Sequence, residues 1–364
     1  MNGFQLSGEQ TAALHHLLRF GKREQSLGGF AGTGKSTVVA ELIRRLPDFR
    51  VCAYTGKAAD VLRRKGVEAE TIHSRIYRPV EVEWIDEEGN LHRTTHWEKR
   101  APEDFDGAGF IVDEASMVDR DLYEDLLSYD LPIIFVGDHG QLPPVARSDF
   151  NPMLNPDITL ETIHRHAGEI PRFAEFVRKG NPPSEWRKHK GCSGTPVRFV
   201  TPAERVAGME DEADQTIVAF NQMRVELNMD RRARLGFPPD HPPVPGDRVM
   251  CLQNNRPLGV FNGQQGHIVA IDPDRELLVF RAGGADFEVP YLPAAFHALE
   301  RLERDPDGRI PFDYAYAVTC HKSQGDEWNH VFVVEQRCRH WEHARWVYTA
   351  ATRARERLTW VVPE

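Results

Sequence analysis

Residues 28–38, GGFAGTGKSTV, constrain the fold more than any other stretch of the chain. From Gly29 to Ser36 the order is G-x-x-x-x-G-K-S, which suits a loop of exposed backbone N–H groups curled round phosphate oxygens. Such a loop needs a strand ending beneath it and a helix starting after it. A strand is therefore expected through SLGGF and a helix from about Lys35, its positive end facing the phosphates. The glycines leave room for close approach and permit positive φ. Lys35 is placed to reach the outer phosphates and Ser36 to ligate Mg²⁺, with Gly32, Thr33, Gly34 and Thr37 in the same turn. An ordinary Gly-rich turn is the competing reading, and the ordered match of all eight positions weighs against it.

The rhythm around this loop points to an α/β chain. Short apolar runs followed by glycine or polar punctuation and a helical stretch recur as VCAYTGKAADVL, GFIVDEASMVD and LPIIFVGDHGQLPP. That is the pattern of a parallel sheet covered by helices, with chemistry at the carboxyl ends of strands. A second set follows as DQTIVAFN, DYAYAVTCHKSQG, NHVFVVEQ and RLTWVVP. With 364 residues and 40% hydrophobic content, two α/β lobes are the economical reading, divided near residues 154 and 155. Two inserts break the rhythm. PVEVEWIDEEGNLHRTTHW, residues 79–97 within a wider insert at 76–106, reads as a β-hairpin with an acidic turn. Residues 244–310 carry Gly-rich turns and the short strands DRVMCLQ, GHIVAID, ELLVFRA and ADFEVP, which suggests a small barrel. NPPSEWRKHKGCSGTP reads as a surface connection and GFPPDHPPVPGD as the barrel's entrance.

Several functional classes are disfavoured. No apolar run approaches the roughly 18 residues of a membrane span, and MNGFQLSGEQTAALHH lacks the blocks of a signal peptide, so a cytoplasmic protein with no membrane partner is expected. The five cysteines are scattered and odd in number, which indicates neither a disulfide framework nor a zinc ribbon. CRHWEH offers Cys338, His340 and His343, but no fourth ligand follows at a usual spacing. A net charge of −10 argues against nonspecific coating of nucleic acid while leaving room for a local basic track. Residues 50–78 hold seven basic against three acidic side chains, and residues 81–106 three against nine; solvated faces would read the same way.

Chemistry is expected after each strand. In GFIVDEASM the apolar run ends at Val112, so Asp113 and Glu114 emerge together. Asp113 suits Mg²⁺ binding through water and Glu114 the activation of the attacking water; an acidic turn capped by Asp113 is the alternative. Gln141 is an uncharged amide fit to sense a γ-phosphate, or simply to satisfy loop backbone. Gln10 in LSGEQ suits adenine recognition or a capping box with Ser7. Arg165 in ETIHRHA and Arg353 in VYTAATRAR are arginine-finger candidates, although arginines on surface helices are common. A finger contributes about 10³ to 10⁵ in rate.

Taken in order, LSGEQ, GFAGTGKST, AYTGKAADVL, TIHS, VDEASM, VGDHGQLPPV, ETIHRHA, PGDRVMCLQNNRPLGVFNGQQGHIV, AYAVTCHKSQGDEW and VYTAATRAR resemble the motifs of superfamily 1 helicases, most closely the RecD-like and Dda-like group B. The resemblance implies two RecA-like lobes, the first carrying a β-hairpin wedge and the second an SH3-like barrel. It implies adenine contact by Gln10, γ-phosphate sensing by Gln141, fingers at Arg165 and Arg353, Gly325 beside the phosphates and Glu327 at the ribose. Thr55, Gly56, Lys57, His73, Thr319, His321 and Lys322 match positions lining a single-strand track, with Asn221 and Asn228 near it. Trp84 or Trp97 would stack at the fork or anchor the hairpin.

The expected function is ATP-driven movement along single-stranded DNA and separation of duplex at a fork, with ATP and Mg²⁺ as cofactors and 5′ to 3′ polarity from the group resemblance alone. A monomer with a repair or replication protein partner is expected. Rival readings are a non-translocating nucleic-acid clamp or switch, an RNA helicase, and a small-molecule phosphotransferase, which would leave TCHKSQGDEW without a role.

Overall fold

The computed structural model describes residues 6–64, 66–85, 91–143, 150–162, 168–188, 196–238, 241–255, 257–299, 302, 305–337 and 342–363. The chain forms two units, Met1–His139 with Pro143–His164, and Gly140–Leu142 with Arg165–Glu364. No helix among the described residues is long and apolar enough to cross a membrane.

The first unit comprises α1 (Gly8–Leu17), β1 (Glu24–Gly29), α2 (Lys35–Arg45), β2 (Phe49–Ala53), α3 (Gly56–Arg64), β3 (Ala69–Thr71), α4 (Ile72–Ile76), β4 (Tyr77–Ile85), β5 (Leu91–Lys99), β6 (Gly109–Asp113), α5 (Arg120–Leu127), β7 (Ile133–Gly137) and β8 (Ile158–Leu160). Six strands make one parallel sheet in the order β3-β2-β6-β7-β1-β8. Strand alternation builds a core on each face. Ile111, Ile134 and Val136 pack with Leu14, Val38, Leu42 and Leu62 of α1, α2 and α3. Their neighbours Phe110, Val112, Ile133 and Phe135 pack with Ile72, Ile76, Leu122 and Leu126 of α4 and α5. β1 is poor in apolar residues for a strand paired on both sides; its buried Gln25 and Ser26 donors find partners, while Gln25 Oε1 has none among the described residues. Gln25 Nε2 donates to His16 O at 3.2 Å, and Ser26 donates through both N and Oγ to Asp157 Oδ2, at 2.8 and 3.0 Å.

The expected hairpin is present. β4 and β5 pair antiparallel from Tyr77↔Lys99 to Ile85↔Leu91, two residues longer at its base than the alternation indicated. Its turn, 86–90, lies outside the described residues, as does the fingerlike candidate Arg165.

The second unit comprises α6 (Glu169–Arg178), β9 (Val197–Val200), β10 (Gln215–Val218), α7 (Asn221–Arg234), β11 (Arg248–Cys251), β12 (Gln265–Asp272), β13 (Leu277–Ala282), β14 (Ala285–Leu292), β15 (Ile310–Tyr314), β16 (Ala317–Thr319), β17 (Trp328–Val334), α8 (His343–Ala351) and β18 (Ala354–Val361). Its parallel sheet runs β16-β10-β17-β18-β9. β11 to β15 close a barrel whose interior holds Val249, Cys251, Ile268, Leu278, Phe280, Val289, Tyr291, Ile310, Phe312 and Tyr314. The fifth strand, β15, was hidden in sequence because DYAYAVT reads as one run; the structure splits it, with Tyr314 ending the barrel and Ala317 opening the core strand.

One face of α7 fastens this barrel. Arg224, Asn228 and Arg232 follow at intervals of four and are all buried. Asn228 donates to Tyr314 O and Ala317 O, both at 3.1 Å, and accepts from Ala317 N at 2.8 Å. Arg232 bonds both oxygens of Asp247, at 3.3 and 3.2 Å, and the carbonyls of His241 and Pro242, at 2.7 and 2.8 Å. Arg224 pairs with Asp313.

Candidate nucleotide and nucleic-acid site

Because the first sheet is parallel throughout, the segments leaving β1, β2, β6 and β7 emerge along one edge. The loop after β1 has the form its spacing predicted. Gly34 takes φ 84° and ψ 25° as the N-cap of α2, a left-handed backbone, and makes no side-chain cap bond. Gly34 thus offers the opening N–H groups of an eleven-residue helix no capping side chain, as an anion site requires. At Gly29 the demand is space: a Cβ there would sit 2.7 Å from Thr33 Oγ1 and 3.0 Å from Lys35 Cγ. Lys35 Nζ donates to Gly29 O at 2.6 Å and Phe30 O at 3.2 Å, across the mouth of the loop. The Phe30 ring lies 4.5 Å from the His139 ring, joining the loop to the turn after β7.

The capping-box reading of Gln10 is met. Its Oε1 accepts from Ser7 N at 3.0 Å and its backbone N–H donates to Ser7 Oγ at 3.2 Å, a complete capping box. Its Nε2 also reaches Thr33 O at 3.5 Å, which sets α1 against the phosphate loop.

β6 ends at Asp113, and Glu114 follows in a left-handed conformation, φ 54° and ψ 37°. A non-glycine residue there carries backbone strain of about 1–3 kcal/mol, which the surrounding fold must hold. The hold is visible: Asp113 Oδ1 accepts Glu114 N–H at 3.0 Å, and Glu114 O accepts Met117 N–H at 3.1 Å to open a short 3₁₀ turn. Both the acidic-turn and the catalytic readings fit this geometry. Ser36 and Asp113 supply oxygen donors, the type Mg²⁺ takes while keeping water ligands. No group of three or more His, Cys, Asp or Glu able to hold a metal occurs among the described residues; Cys338 and His340 lie outside them, and His343 bonds Glu335 Oε1 at 2.8 Å.

Of the first-unit track candidates, Thr55 caps α3 by accepting Ala58 N–H at 3.1 Å, and Gly56 and Lys57 begin that helix. His73 is exposed on α4, its ring 5.5 Å from that of Tyr77.

In the second unit, Thr319 ends β16, and Lys322 Nζ donates to Asn262 Oδ1 at 2.8 Å on a barrel turn. Burial holds the His321 imidazole below its usual pKa, which favours the neutral ring at neutral pH. Asn221 starts α7 and accepts from Arg224 Nε at 3.2 Å. Asn228 is fully buried, its side chain bonded at the barrel root.

Gln141 is buried in the segment Gly140–Leu142. Leu142 N–H donates to Thr349 Oγ1 at 2.9 Å, and Gln324 Nε2 donates to Leu142 O at 2.9 Å. Thr349 O in turn accepts Arg353 Nε at 3.1 Å. Arg353 is 4% exposed and also donates to Asp326 O and Thr352 Oγ1, both at 3.0 Å. Gly325 adopts φ 82°, and Glu327 pairs with Arg355 at 3.0 Å. Gln324 and Thr349 were missed by spacing. The only signal was indirect: each stands inside a quoted motif stretch, and a threonine on an otherwise apolar helix face needs a partner.

The AAA domain family model matches residues 5–192, and a UvrD-like helicase C-terminal domain matches residues 314–361. The chain is similar to the ATP-dependent RecD2 DNA helicase of Deinococcus radiodurans, 32% identical over 393 residues, covering 97% of this chain and 48% of that protein. It is similar to the ATP-dependent DNA helicase dda of Enterobacteria phage T4, 30% identical over 198 residues, covering 50% of this chain and 42% of that protein. In fold it matches the crystal structure of Bacteroides Pif1 bound to ssDNA, with a TM-score of 0.64 at 19% identity, covering 100% of this chain and 95% of that one. The chain spans about half the length, or less, of these curated relatives.

Proposed function

We propose that this chain, which belongs to the AAA domain family and to the RecD-like and Dda-like group of superfamily 1, uses ATP hydrolysis to move along single-stranded DNA and part duplex ahead of it. One observation carries the reading: a formed phosphate loop with paired carboxylates two strands over, across β7, on the same chain as a helicase-type C-terminal segment holding Lys322 and Arg353. The named relatives are DNA helicases, and the solved structure it resembles in fold holds single-stranded DNA.

In this mechanism Gln10 reads the adenine, Gly29 to Thr37 hold the phosphates, and Lys35 releases its two loop carbonyls to reach the β- and γ-oxygens. Ser36 and Asp113 would hold Mg²⁺, which when bound neutralises phosphate charge. Glu114 takes a proton from the attacking water. Gln141 senses the γ-phosphate, with Gly325 beside the phosphates and Glu327 at the ribose. Arg165 and Arg353 contact the γ-phosphate in the loaded state. Arg353 suits this because, among the described residues, its bonded acceptors are all uncharged oxygens, which a phosphate outcompetes. Thr55, Gly56, Lys57, His73, Asn221, Thr319, His321 and Lys322 contact the strand, chiefly its backbone, so affinity falls as salt rises. The protein acts in the cytoplasm, as a monomer, with 5′ to 3′ polarity and with a repair or replication protein as partner.

Fork substrates carrying only a 5′ or only a 3′ tail test this. ATP-dependent separation of the 5′-tailed fork alone is expected. ATPase stimulated by single strands without strand separation on either fork would favour a clamp, stimulation by RNA alone an RNA motor, and ATPase indifferent to both polymers would overturn the reading.

The hairpin is proposed as the wedge. Replacing residues 86–90 with a two-residue turn is expected to abolish fork unwinding while single-strand-stimulated ATPase persists; if unwinding survives, β4 and β5 serve another purpose.

A further inference from the structure

β4 and β5 form a two-stranded sheet separate from the parallel one. A ribbon of two strands is marginally stable by itself, so its direction is set where it leaves the lobe. That base is fastened on both strands to α5 and the turn after it. Tyr77 and Lys99, the first rung of the ladder, meet on one carboxylate: Tyr77 Oη donates to Asp125 Oδ2, and Lys99 Nζ donates to Asp125 Oδ1 at 2.9 Å. Lys99 Nζ also reaches Ser128 Oγ at 3.1 Å, and that hydroxyl donates to Asp125 O at 2.6 Å. Past Asp125, the Tyr129 hydroxyl is shared between Ile76 O at 3.0 Å and Arg100 O at 2.9 Å, the residues just outside the first rung.

The mount is itself held by the core. Tyr129 is 4% exposed, and its ring meets those of Phe105 and Phe110 edge-on, with centroids 5.6 Å from each. Phe110 stands on β6, the strand that ends at Asp113. Burial and the Asp125 carboxylate raise the Tyr77 pKa, so its hydroxyl stays a donor at neutral pH. Folding asks little of the Lys99–Asp125 pair, since both side chains are partly exposed and ion pairs of that kind add little stability. What the pair adds is direction. One contact would leave a hinge; contacts on both strands, at the first rung and just outside it, remove rotation about that hinge.

We infer that Asp125 and Tyr129 are positioning residues for duplex separation: together they clamp both strands of the hairpin at its base, so that it meets the fork at a fixed angle and the load on it passes into β6 and the parallel sheet. The inference rests on the wedge reading above. It assigns to α5 a task apart from hydrolysis, although the same chain segment begins at the Asp113–Glu114 pair.

The test compares the full chain with Tyr129→Phe and with Asp125→Ala/Tyr129→Phe by three rates: ATPase saturated with single-stranded DNA, travel along bare single strands, and separation of the fork that the wild type opens. The double variant should separate the fork about tenfold more slowly, while ATPase and travel stay within about twofold of wild type. Tyr129→Phe keeps the buried ring and removes only the shared hydroxyl, so it carries the test if the double variant folds poorly; a loss of about threefold confined to fork separation is expected. Unchanged fork separation in both variants overturns the inference. So does a parallel fall of ATPase and separation in Tyr129→Phe, because a purely structural role would move both. Replacement of residues 86–90, described above, tells the two readings apart. If it leaves separation intact, the wedge reading fails and takes this inference with it; if it abolishes separation while the clamp variants do not slow it, this inference falls alone.

Discussion

Glu114→Gln should bind ATP as the wild type does and hydrolyse it about 10² to 10⁴ times more slowly, the range typical for loss of a general base. The substitution is nearly isosteric, so the left-handed turn and its Asp113 and Met117 bonds stay intact. Phosphate release under saturating ATP reads the loss, and binding of a fluorescent ATP analogue reads the intact site. A drop under tenfold would remove Glu114 from the chemistry and leave it as the strained start of a turn. Strain itself makes a second argument for function: a glutamate held at φ 54° is less comfortable than glycine there, so stability alone does not select it.

Arg232→Ala should destabilise the second unit by about 3–5 kcal/mol, the usual cost of removing one partner from a buried ion pair. Asp247 would be left at 2% exposure with a charge and two remaining donors, Tyr316 Oη at 2.9 Å and Val244 N at 2.9 Å. Urea unfolding followed by tryptophan fluorescence measures it, since Trp186, Trp346 and Trp360 are all buried in this unit. Replacing the pair together, Arg232→Met with Asp247→Leu, should restore only part of the loss, because those two donors and the carbonyls of His241 and Pro242 would then lack partners. A shift below about 1 kcal/mol for Arg232→Ala would mean that water reaches Asp247.

These two sites differ in how readable they were. The phosphate loop, the Asp113–Glu114 pair and the parallel sheets follow from local rules: glycine spacing, where an apolar run stops, and the alternation that sends Ile111 and Val112 to opposite faces. The barrel root follows no such rule. NQMRVELNMDRRAR has the look of a solvated helix, and charged residues at intervals of four usually mark a wet face. Here that stripe is buried because partners distant in sequence, Asp247, Asp313 and the Tyr314 and Ala317 backbone, meet it. Long-range pairing of this kind leaves no periodic trace. β15 escaped notice for a related reason, since a barrel strand and a core strand run together with only two residues between them.

β11 and β15 lie side by side, with Val249 opposite Tyr314 and Cys251 opposite Phe312. The polypeptide therefore departs after α7 and returns to the core sheet at adjacent doors. An appendage built this way is modular: its distal turns can lengthen, shorten or acquire new surfaces while the gap it spans in its host stays constant. Evolutionary or laboratory exchange of that appendage should succeed when the cut falls outside residues 247 and 314, and fail when it severs the two strands that stand in the doorway.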